Sequence, residues 1–308
     1  MGYKSLNYII RLRKTIERVF YFFIFLAGLF LFFYFFINVN YQSKDGENNL
    51  QKNEQIVFNN EKNKLPGKFV EDKLKFPNPS PSPPKTINVP ILMYHSIGSL
   101  SPSPTSLERD LTVSPANFEQ QLIYLKEKKY QTILMEDLFQ TIYYNKKLPP
   151  KPIILTFDDG YDNHYYNVYP LLKKYKFKGS FYIITSLVNQ PGRINQQQIK
   201  ELADNGMEIG SHSVSHPDFS HLNEQEINNE LHYSKLLLEK IINKKIYFFC
   251  YPSGKYNNHS FPILKKEGYL LALTTNSGTL ISSDHPFEVP RLRITGDESL
   301  ENFKKLLP

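Results

Sequence analysis

Two adjacent carboxylates, Asp158 and Asp159, follow the apolar run Ile153 to Phe157 and precede Gly160. The run predicts a buried strand, and the glycine predicts the turn that leaves it. The carboxyl ends of strands are where α/β folds carry their chemistry. Successive residues of an extended chain point to opposite sides, so one carboxylate can bind a metal while the other accepts a proton. A solvated Asp-Gly turn is the alternative interpretation.

Two histidines, His212 and His216, follow a second strand-like segment, Met207 to Gly210. Imidazoles spaced i and i+4 share a face if the segment is helical, and they can then chelate one divalent ion. Two histidines and one carboxylate, with a position left open for water, form the catalytic zinc pattern. Asp158 or Asp159 could supply the carboxylate. The alternative is a pair of capping or surface histidines.

Two further strand ends carry polar groups. A strand-like run reaches Tyr251 and is followed by a proline–glycine turn, where a backbone N–H could bind a developing oxyanion. His95 follows the first strand of the globular region, and a histidine pKa near neutrality suits a general acid. An ordinary turn and a structural histidine are the respective alternatives.

These motifs require a scaffold that brings strand ends together. Strand-like and helix-like segments alternate over residues 87–308, which predicts an α/β domain with a largely parallel sheet. About seven such units favour a closed (β/α) barrel over an open sheet. Parallel strands of a closed sheet would bring all the motifs to one rim.

The N-terminal part of the chain predicts a membrane anchor and a tether. Residues 1–18 are basic, 19–39 form an uncharged apolar run, and 40–86 are rich in Asn, Lys and Pro. A run of about 20 apolar residues suits a transmembrane helix, and the basic flank predicts a cytoplasmic N-terminus. The apolar-poor segment 40–86 predicts a disordered linker. The run ends without small residues, which favours an uncleaved anchor over a signal peptide and places the domain outside the cytoplasm.

Charge and cysteine content exclude other classes of function. The net charge is +7, of which residues 1–18 carry +4 from five basic residues and one acidic residue. No nucleic-acid-binding motif accompanies this charge, so we expect no nucleic-acid partner. The single cysteine, Cys250, excludes an internal disulfide and is expected to fill core space rather than act as a catalytic thiol.

Three motifs together resemble those of the NodB-like polysaccharide deacetylases. They are Thr156-Phe157-Asp158-Asp159-Gly160, His212-Ser213-Val214-Ser215-His216 and Tyr251-Pro252-Ser253-Gly254. The resemblance covers residues 87–308 and implies a distorted (β/α) barrel. It also implies that Asp158 is the catalytic base and that the backbone N–H of Tyr251 stabilises the oxyanion. The divalent metal, expected to be zinc, would be bound by Asp159, His212 and His216.

The chain departs from the family pattern at two positions. The third motif lacks its usual arginine, because Phe248-Phe249-Cys250 stands there, and by resemblance Arg291 is expected to orient the base instead. No late histidine lies in a matching motif. Tyr94-His95 resembles the poly-N-acetylglucosamine deacetylases, so His95 is predicted to be the general acid. The remaining histidines are predicted to be structural or solvated: His164, His221, His232, His259 and His285.

The function implied by this resemblance is metal-dependent removal of N-acetyl groups from an extracytoplasmic polysaccharide that contains N-acetylglucosamine. Asp158 would take a proton from the attacking water, and His95 would protonate the departing amine. Peptidoglycan deacetylation, or ester hydrolysis on acetylated xylan, would use the same site. Two alternatives from other classes are a glycan-binding domain without catalysis and a structural envelope protein.

Overall fold

The structure is a computed structural model that describes residues 74–76 and 83–307. The predicted basic N-terminus (1–18), the predicted anchor (19–39) and most of the predicted linker (40–86) lie outside the described residues. Within the described ranges, no helix is long and apolar enough to cross a membrane. The anchor and the cytoplasmic N-terminus therefore stay predictions.

Twelve strands are found in the described residues. They are β1 (Thr86–Asn88), β2 (Ile91–Tyr94), β3 (Ser96–Ile97), β4 (Thr112–Val113), β5 (Gln131–Thr132), β6 (Pro152–Phe157), β7 (Ser180–Ile183), β8 (Glu208–Ser211), β9 (Phe248–Cys250), β10 (Leu271–Ser277), β11 (Leu280–Ser282) and β12 (Val289–Arg293). Seven of them pair side by side in the order β2-β12-β10-β9-β8-β7-β6, and β6 pairs back onto β2. Every pairing in this ring is parallel. The predicted seven-stranded (β/α) barrel is therefore confirmed.

Helices cover the outside of the ring. They are α1 (Ser106–Leu111), α2 (Pro115–Glu127), α3 (Met135–Tyr144), α4 (Tyr169–Tyr175), α5 (Gln196–Asp204), α6 (Glu224–Ile242), α7 (Ser260–Lys266) and α8 (Leu300–Leu306), with a π-helical turn at His164–Val168 before α4. Local sequence explains several of their starts. Ser114 caps α2 ahead of Pro115, and Asn223 with Glu226 forms a capping box at α6.

The alternation of side chains along each strand decides which of them point toward the candidate site. In β6, Ile154 belongs to one buried cluster, while Ile153, Leu155 and Phe157 belong to another that includes residues of α2, α5 and α6. The first cluster draws on residues from several barrel strands and fills the interior. Because side chains alternate along a strand, Asp158 continues the interior row of Ile154. The barrel fold thus directs this carboxylate inward.

Two positions show how tightly the interior is packed. A Cβ at Gly210 would lie 2.3 Å from the ring of Tyr182, so only glycine leaves room for that tyrosine inside the barrel. Glu208 lies two residues before Gly210 in β8. Its carboxylate accepts hydrogen bonds from the amides of Met135 (3.1 Å) and Glu136 (3.0 Å) at the start of α3. It also accepts the hydroxyl of Ser180 at 2.6 Å. Glu208 therefore ties α3 to β7 and β8.

Part of the chain before residue 87 packs on the domain. Leu74 is buried in the interior cluster, and the Phe76 ring contacts the ring of Tyr143 edge-on at a centroid distance of 5.2 Å. β1 pairs with β11 and starts at Thr86. The domain boundary at residue 87 stays a prediction, and these contacts lie on its N-terminal side.

Candidate metal and catalytic centre

The predicted site residues lie in or directly after strands of the same barrel. Asp158 and Asp159 follow β6, His212 follows β8, Tyr251 follows β9 and His95 follows β2. Arg291 lies within β12. Since all these strands are parallel, their carboxyl ends form one rim, as the sequence predicted.

Asp159, His212 and His216 converge at this rim. The Nε2 atom of His212 lies 3.3 Å from Oδ1 of Asp159, and Nε2 of His216 lies 3.8 Å from the same oxygen. The three potential ligand atoms all lie within 4.8 Å of one another. Two imidazole nitrogens and one carboxylate oxygen are the ligand set of a catalytic zinc site. The residues present therefore fit a divalent ion.

The two histidines meet without a helix. The i, i+4 spacing would place them on one face if the segment were helical, but residues 212–216 form a loop. Ser213 and His216 both adopt a left-handed backbone, with φ of 68° and 62°. These two reversals fold the loop back, so that the imidazole centroids lie 4.8 Å apart. The condition of a helical segment is therefore not met, and the loop brings the ligand pair together instead.

Glu230 of α6 supports this loop, and the sequence contains no signal for its role. Its carboxylate accepts the amides of Val214 (2.7 Å) and Ser215 (2.9 Å) and the hydroxyl of Ser215 (2.8 Å). His212 is fixed separately, because its Nδ1 lies 2.7 Å from the carbonyl oxygen of Cys250. That contact leaves Nε2 directed at Asp159, and such outer partners fix a metal ligand's tautomer and orientation.

Arg291 forms a buried ion pair with Asp158. Its Nη1 and Nη2 atoms donate to the two carboxylate oxygens at 2.9 and 2.7 Å, while Asp158 is 2% exposed and Arg291 1%. The guanidinium also donates to Thr156 Oγ1 and to the carbonyl of Thr274. A bidentate Arg–carboxylate pair fixes the orientation of both groups. The contact between Arg291 and Asp158 that the sequence predicted is therefore present in the structure.

The charges of the two aspartates are stabilised by different neighbours. Burial raises the pKa of Asp158, but the charge and hydrogen bonds of Arg291 outweigh it and bring the pKa to about 2. Burial also raises the pKa of Asp159, but the hydrogen bond and the charge of His212 outweigh this effect and lower the pKa below its usual value. Both carboxylates are therefore ionised at neutral pH. One is held by an arginine and the other faces the imidazoles, which separates their two predicted roles.

Cys250 lies beneath this arrangement. Its buried Sγ is 3.5 Å from Oδ2 of Asp158 and 3.1 Å from Nη2 of Arg291. Asp158, His212 and Cys250 also lie within 4.8 Å of one another. Burial raises the pKa of this thiol, and the Asp158 carboxylate already accepts two hydrogen bonds from Arg291. We therefore favour the Asp159 group as the metal ligands.

His95 reaches the rim with a free ring nitrogen. Its Nδ1 is buried and has no hydrogen-bond partner among the described residues. Burial lowers the pKa of His95 below its usual value, and the charges of Asp158 and Asp159 offset part of this effect. The Nε2 atom of His164 lies 2.7 Å from the His95 carbonyl oxygen and anchors this segment. The general-acid role of His95 stays a prediction.

The other histidines have structural or surface contacts. His164 is buried, and burial lowers its pKa to about 4. The four remaining histidines pair with acidic residues: His221 with Asp218, His232 with Glu267, His259 with Glu224 and His285 with Glu288. Each of these four histidines therefore has a partner outside the candidate metal site.

The backbone amide of Tyr251 does not point where the sequence predicted. It donates to the carbonyl of Leu273 at 3.0 Å, as part of the pairing between β9 and β10. The prediction that this N–H would bind an oxyanion is therefore wrong for the structure as it stands. An amide at the end of a buried strand donates to the neighbouring strand, because buried backbone donors are almost always paired.

Comparison with known proteins identifies the family. A family profile described as polysaccharide deacetylase matches residues 145–272. YxkH of Bacillus subtilis (strain 168), itself assigned to polysaccharide deacetylases, is 30% identical over 211 residues, covering 68% of this chain and 73% of its own. The chain belongs to the polysaccharide deacetylase family. It is therefore a hydrolase, and the enzyme class predicted from the motifs is confirmed.

Solved structures agree with this assignment. The deacetylase PplD of Streptococcus pyogenes, determined in complex with acetate, is 32% identical, with a TM-score of 0.67 over 73% of this chain and all of PplD. A relative found by sequence comparison, the poly-β-1,6-N-acetyl-D-glucosamine N-deacetylase of Staphylococcus aureus (strain MRSA252), is 27% identical over 61% of this chain and 70% of its own. IcaB of Ammonifex degensii, at 24% identity and a TM-score of 0.63, shares the fold.

Proposed function

We propose that this polysaccharide deacetylase removes N-acetyl groups from an N-acetylglucosamine polymer outside the cytoplasm, with a divalent metal, zinc by its ligand set, as cofactor. The observation that carries the proposal is the convergence of Asp159, His212 and His216 beside the arginine-held carboxylate of Asp158. The named S. aureus relative acts on poly-β-1,6-N-acetyl-D-glucosamine, which supports the substrate class.

The metal would be held by Asp159, His212 and His216, and when bound it would supply Lewis acidity to the acetyl carbonyl and the attacking water. The other steps belong to the chain's own side chains. Asp158 accepts a proton as the water oxygen bonds to the acetyl carbon, and Arg291 keeps that carboxylate ionised and oriented. His95 donates a proton to the sugar nitrogen as the C–N bond breaks. Acetate and a free amine result.

A different amide from the predicted one supports the oxyanion. Within the turn after β9, Tyr251 N–H donates to Leu273, Gly254 N–H to Tyr251 and Lys255 N–H to Pro252, and proline has no N–H. Ser253 is the one residue of this turn whose amide donates to no backbone carbonyl among the described residues. We therefore assign the oxyanion donor to Ser253, whose φ of 52° turns the chain sharply at the rim.

The location rests on the sequence alone. The basic residues 1–18 and the apolar run 19–39 support a single anchor with a cytoplasmic N-terminus. The domain would then meet its polysaccharide on the far side of the membrane. Fusing a topology reporter after residue 86 tests this proposal, and reporter activity confined to the cytoplasm would contradict it.

The decisive experiment measures acetate release by the purified protein from β-1,6-linked N-acetylglucosamine oligomers, with peptidoglycan and acetylated xylan in parallel. Release from the oligomers that a chelator abolishes and zinc restores is the expected result. Release from peptidoglycan or xylan alone would keep the chemistry and change the substrate class. Binding of glycan without acetate release from any of the three would establish a binding domain and overturn the proposal.

A further inference from the structure

The loop formed by residues 184–195, named here the bridging loop, contacts the turn that follows the two aspartates. The amide of Ile194 donates to the carbonyl of Gly160 at 2.9 Å, and the amide of Asp162 donates to the carbonyl of Gly192 at 3.1 Å. Tyr161 and Arg193 face each other in an isolated antiparallel bridge. Ile194 is fully buried, so this end of the loop is anchored in the core.

The same loop also contacts the histidine motif. Its Thr185 amide donates to the carbonyl of Ser213 at 3.1 Å, and its Ser186 amide donates to the carbonyl of Val214 at 3.0 Å. Ser213 and Val214 lie between His212 and His216. The bridging loop is therefore hydrogen-bonded to the chain on both sides of the candidate metal: next to Asp159 and between the two histidines.

Arg193 makes the contact nearest to a metal ligand. Its Nη1 donates to the backbone carbonyl of Asp159 at 2.9 Å, and its guanidinium stacks on the ring of Tyr161, with Cζ 4.2 Å from the ring centroid. Asp159 has φ of 74°, a left-handed backbone that a residue with a Cβ adopts only when its surroundings hold it there.

We propose that Arg193 is a positioning residue for the metal site, and that the bridging loop sets the separation between Asp159 and the His212–His216 pair. The inference rests on the proposed metal centre. The left-handed backbone of Asp159 turns its carboxylate toward the imidazoles, and the guanidinium holds the carbonyl of that residue in place. Removing the donor releases the turn, and the carboxylate loses its fixed distance to the two nitrogens.

Arg193→Met is the direct test, because it keeps an apolar stem to lie on Tyr161 and removes the guanidinium that donates to the Asp159 carbonyl and stacks on the ring. The expected result is a zinc dissociation constant about 10–100-fold higher, the usual effect of losing an outer-shell partner. Competition with a chromophoric chelator measures that constant, and the visible spectrum of the cobalt-substituted protein reports the ligand geometry. Arg193→Lys, which retains a donor, should bind zinc more tightly than Arg193→Met.

Lys173→Met is the matched control. Lys173 also lies over a tyrosine ring, with Nζ 5.0 Å from the centroid of Tyr169, and it belongs to α4, one of the helices that cover the outside of the barrel. Its variant should bind zinc like the wild type. If Arg193→Met does not fold, Arg193→Gln is the second variant, and the same loss of zinc affinity is expected because its shorter side chain cannot span the contact.

Amide exchange in the metal-free protein gives a readout that needs no ion. Releasing Arg193 should speed exchange at Asp162 and Ile194, whose amides cross the bridge, and leave the amides of β10 unchanged. Wild-type zinc affinity together with wild-type exchange at these two amides would overturn the inference. Zinc binding by the wild type no tighter than by Asp159→Asn would overturn the metal centre instead, and the exchange data would still decide the role of Arg193.

Discussion

Arg291→Met is the substitution whose effect the structure defines most sharply. The guanidinium makes two hydrogen bonds to Asp158, at 2.9 and 2.7 Å, with both side chains almost fully buried. Removing one partner of a buried pair leaves an uncompensated charge and costs about 3–5 kcal/mol. For a domain of this size, each kcal/mol lowers the melting temperature by about 2–4 °C. We therefore expect a drop of about 6–20 °C at neutral pH.

The chain contains a matched control two residues along the same strand. Arg293 pairs with Asp110, and both side chains are partly exposed, at 37% and 40%. An exposed pair contributes about 0–1 kcal/mol, so Arg293→Met should change the melting temperature little. Thermal unfolding of the metal-free protein, followed by circular dichroism, measures both variants. The double variant Arg291→Met with Asp158→Asn should be less destabilised than the sum of its single substitutions, because the stranded charge is removed.

Equal melting temperatures for the Arg291→Met and Arg293→Met variants would refute this reasoning. Acetate release provides a second readout, since Asp158 loses the partner that keeps it ionised and oriented. An Arg291→Met protein that released acetate at the wild-type rate would show that the base does not depend on this pair.

Other substitutions separate the remaining roles. Asp158→Asn should abolish acetate release and keep zinc affinity, whereas Asp159→Asn should lower both. His95→Ala should slow acetate release by about 10²–10⁴-fold without changing zinc affinity, as expected for loss of a general acid. Burial raises the pKa of Glu208 to about 7 from 4.5, so the folded protein holds a proton that the unfolded chain releases. Its contribution to stability is present below about pH 4.5 and is lost as the pH rises through 7, by at most about 3 kcal/mol.

For each of these predictions, one result would contradict it. Near-normal turnover by Asp158→Asn would remove that residue as the base, and zinc affinity retained by Asp159→Asn would remove it as a ligand. A normal rate for His95→Ala would leave the general acid unassigned. Glu208→Gln should flatten the dependence of stability on pH between 4.5 and 7, and an unchanged profile would show that another group titrates.

One sequence-based condition and one expectation came out differently in the structure. The sequence analysis placed His212 and His216 on one face on condition that their segment is helical, and it expected the Tyr251 amide to be free. In the structure two left-handed residues, Ser213 and His216, fold a loop instead. The Tyr251 amide is consumed by the β10 carbonyl of Leu273. Both outcomes depend on backbone conformation and on which strand lies alongside, and residue type alone does not decide either.

The sequence by itself determined the barrel, the order of its motifs and the chemical types at its rim. Buried runs ending in carboxylates, imidazoles and a turn are local patterns, and parallel strands must end on one side. Resemblance to the family predicted that Arg291 would contact Asp158, and the tertiary structure brings the two together from 133 residues apart along the chain. Only the tertiary structure decided that Glu230 supports the histidine loop and that Arg193 contacts Asp159. Such contacts arise when distant segments pack together, and nothing in the spacing of these residues announces them.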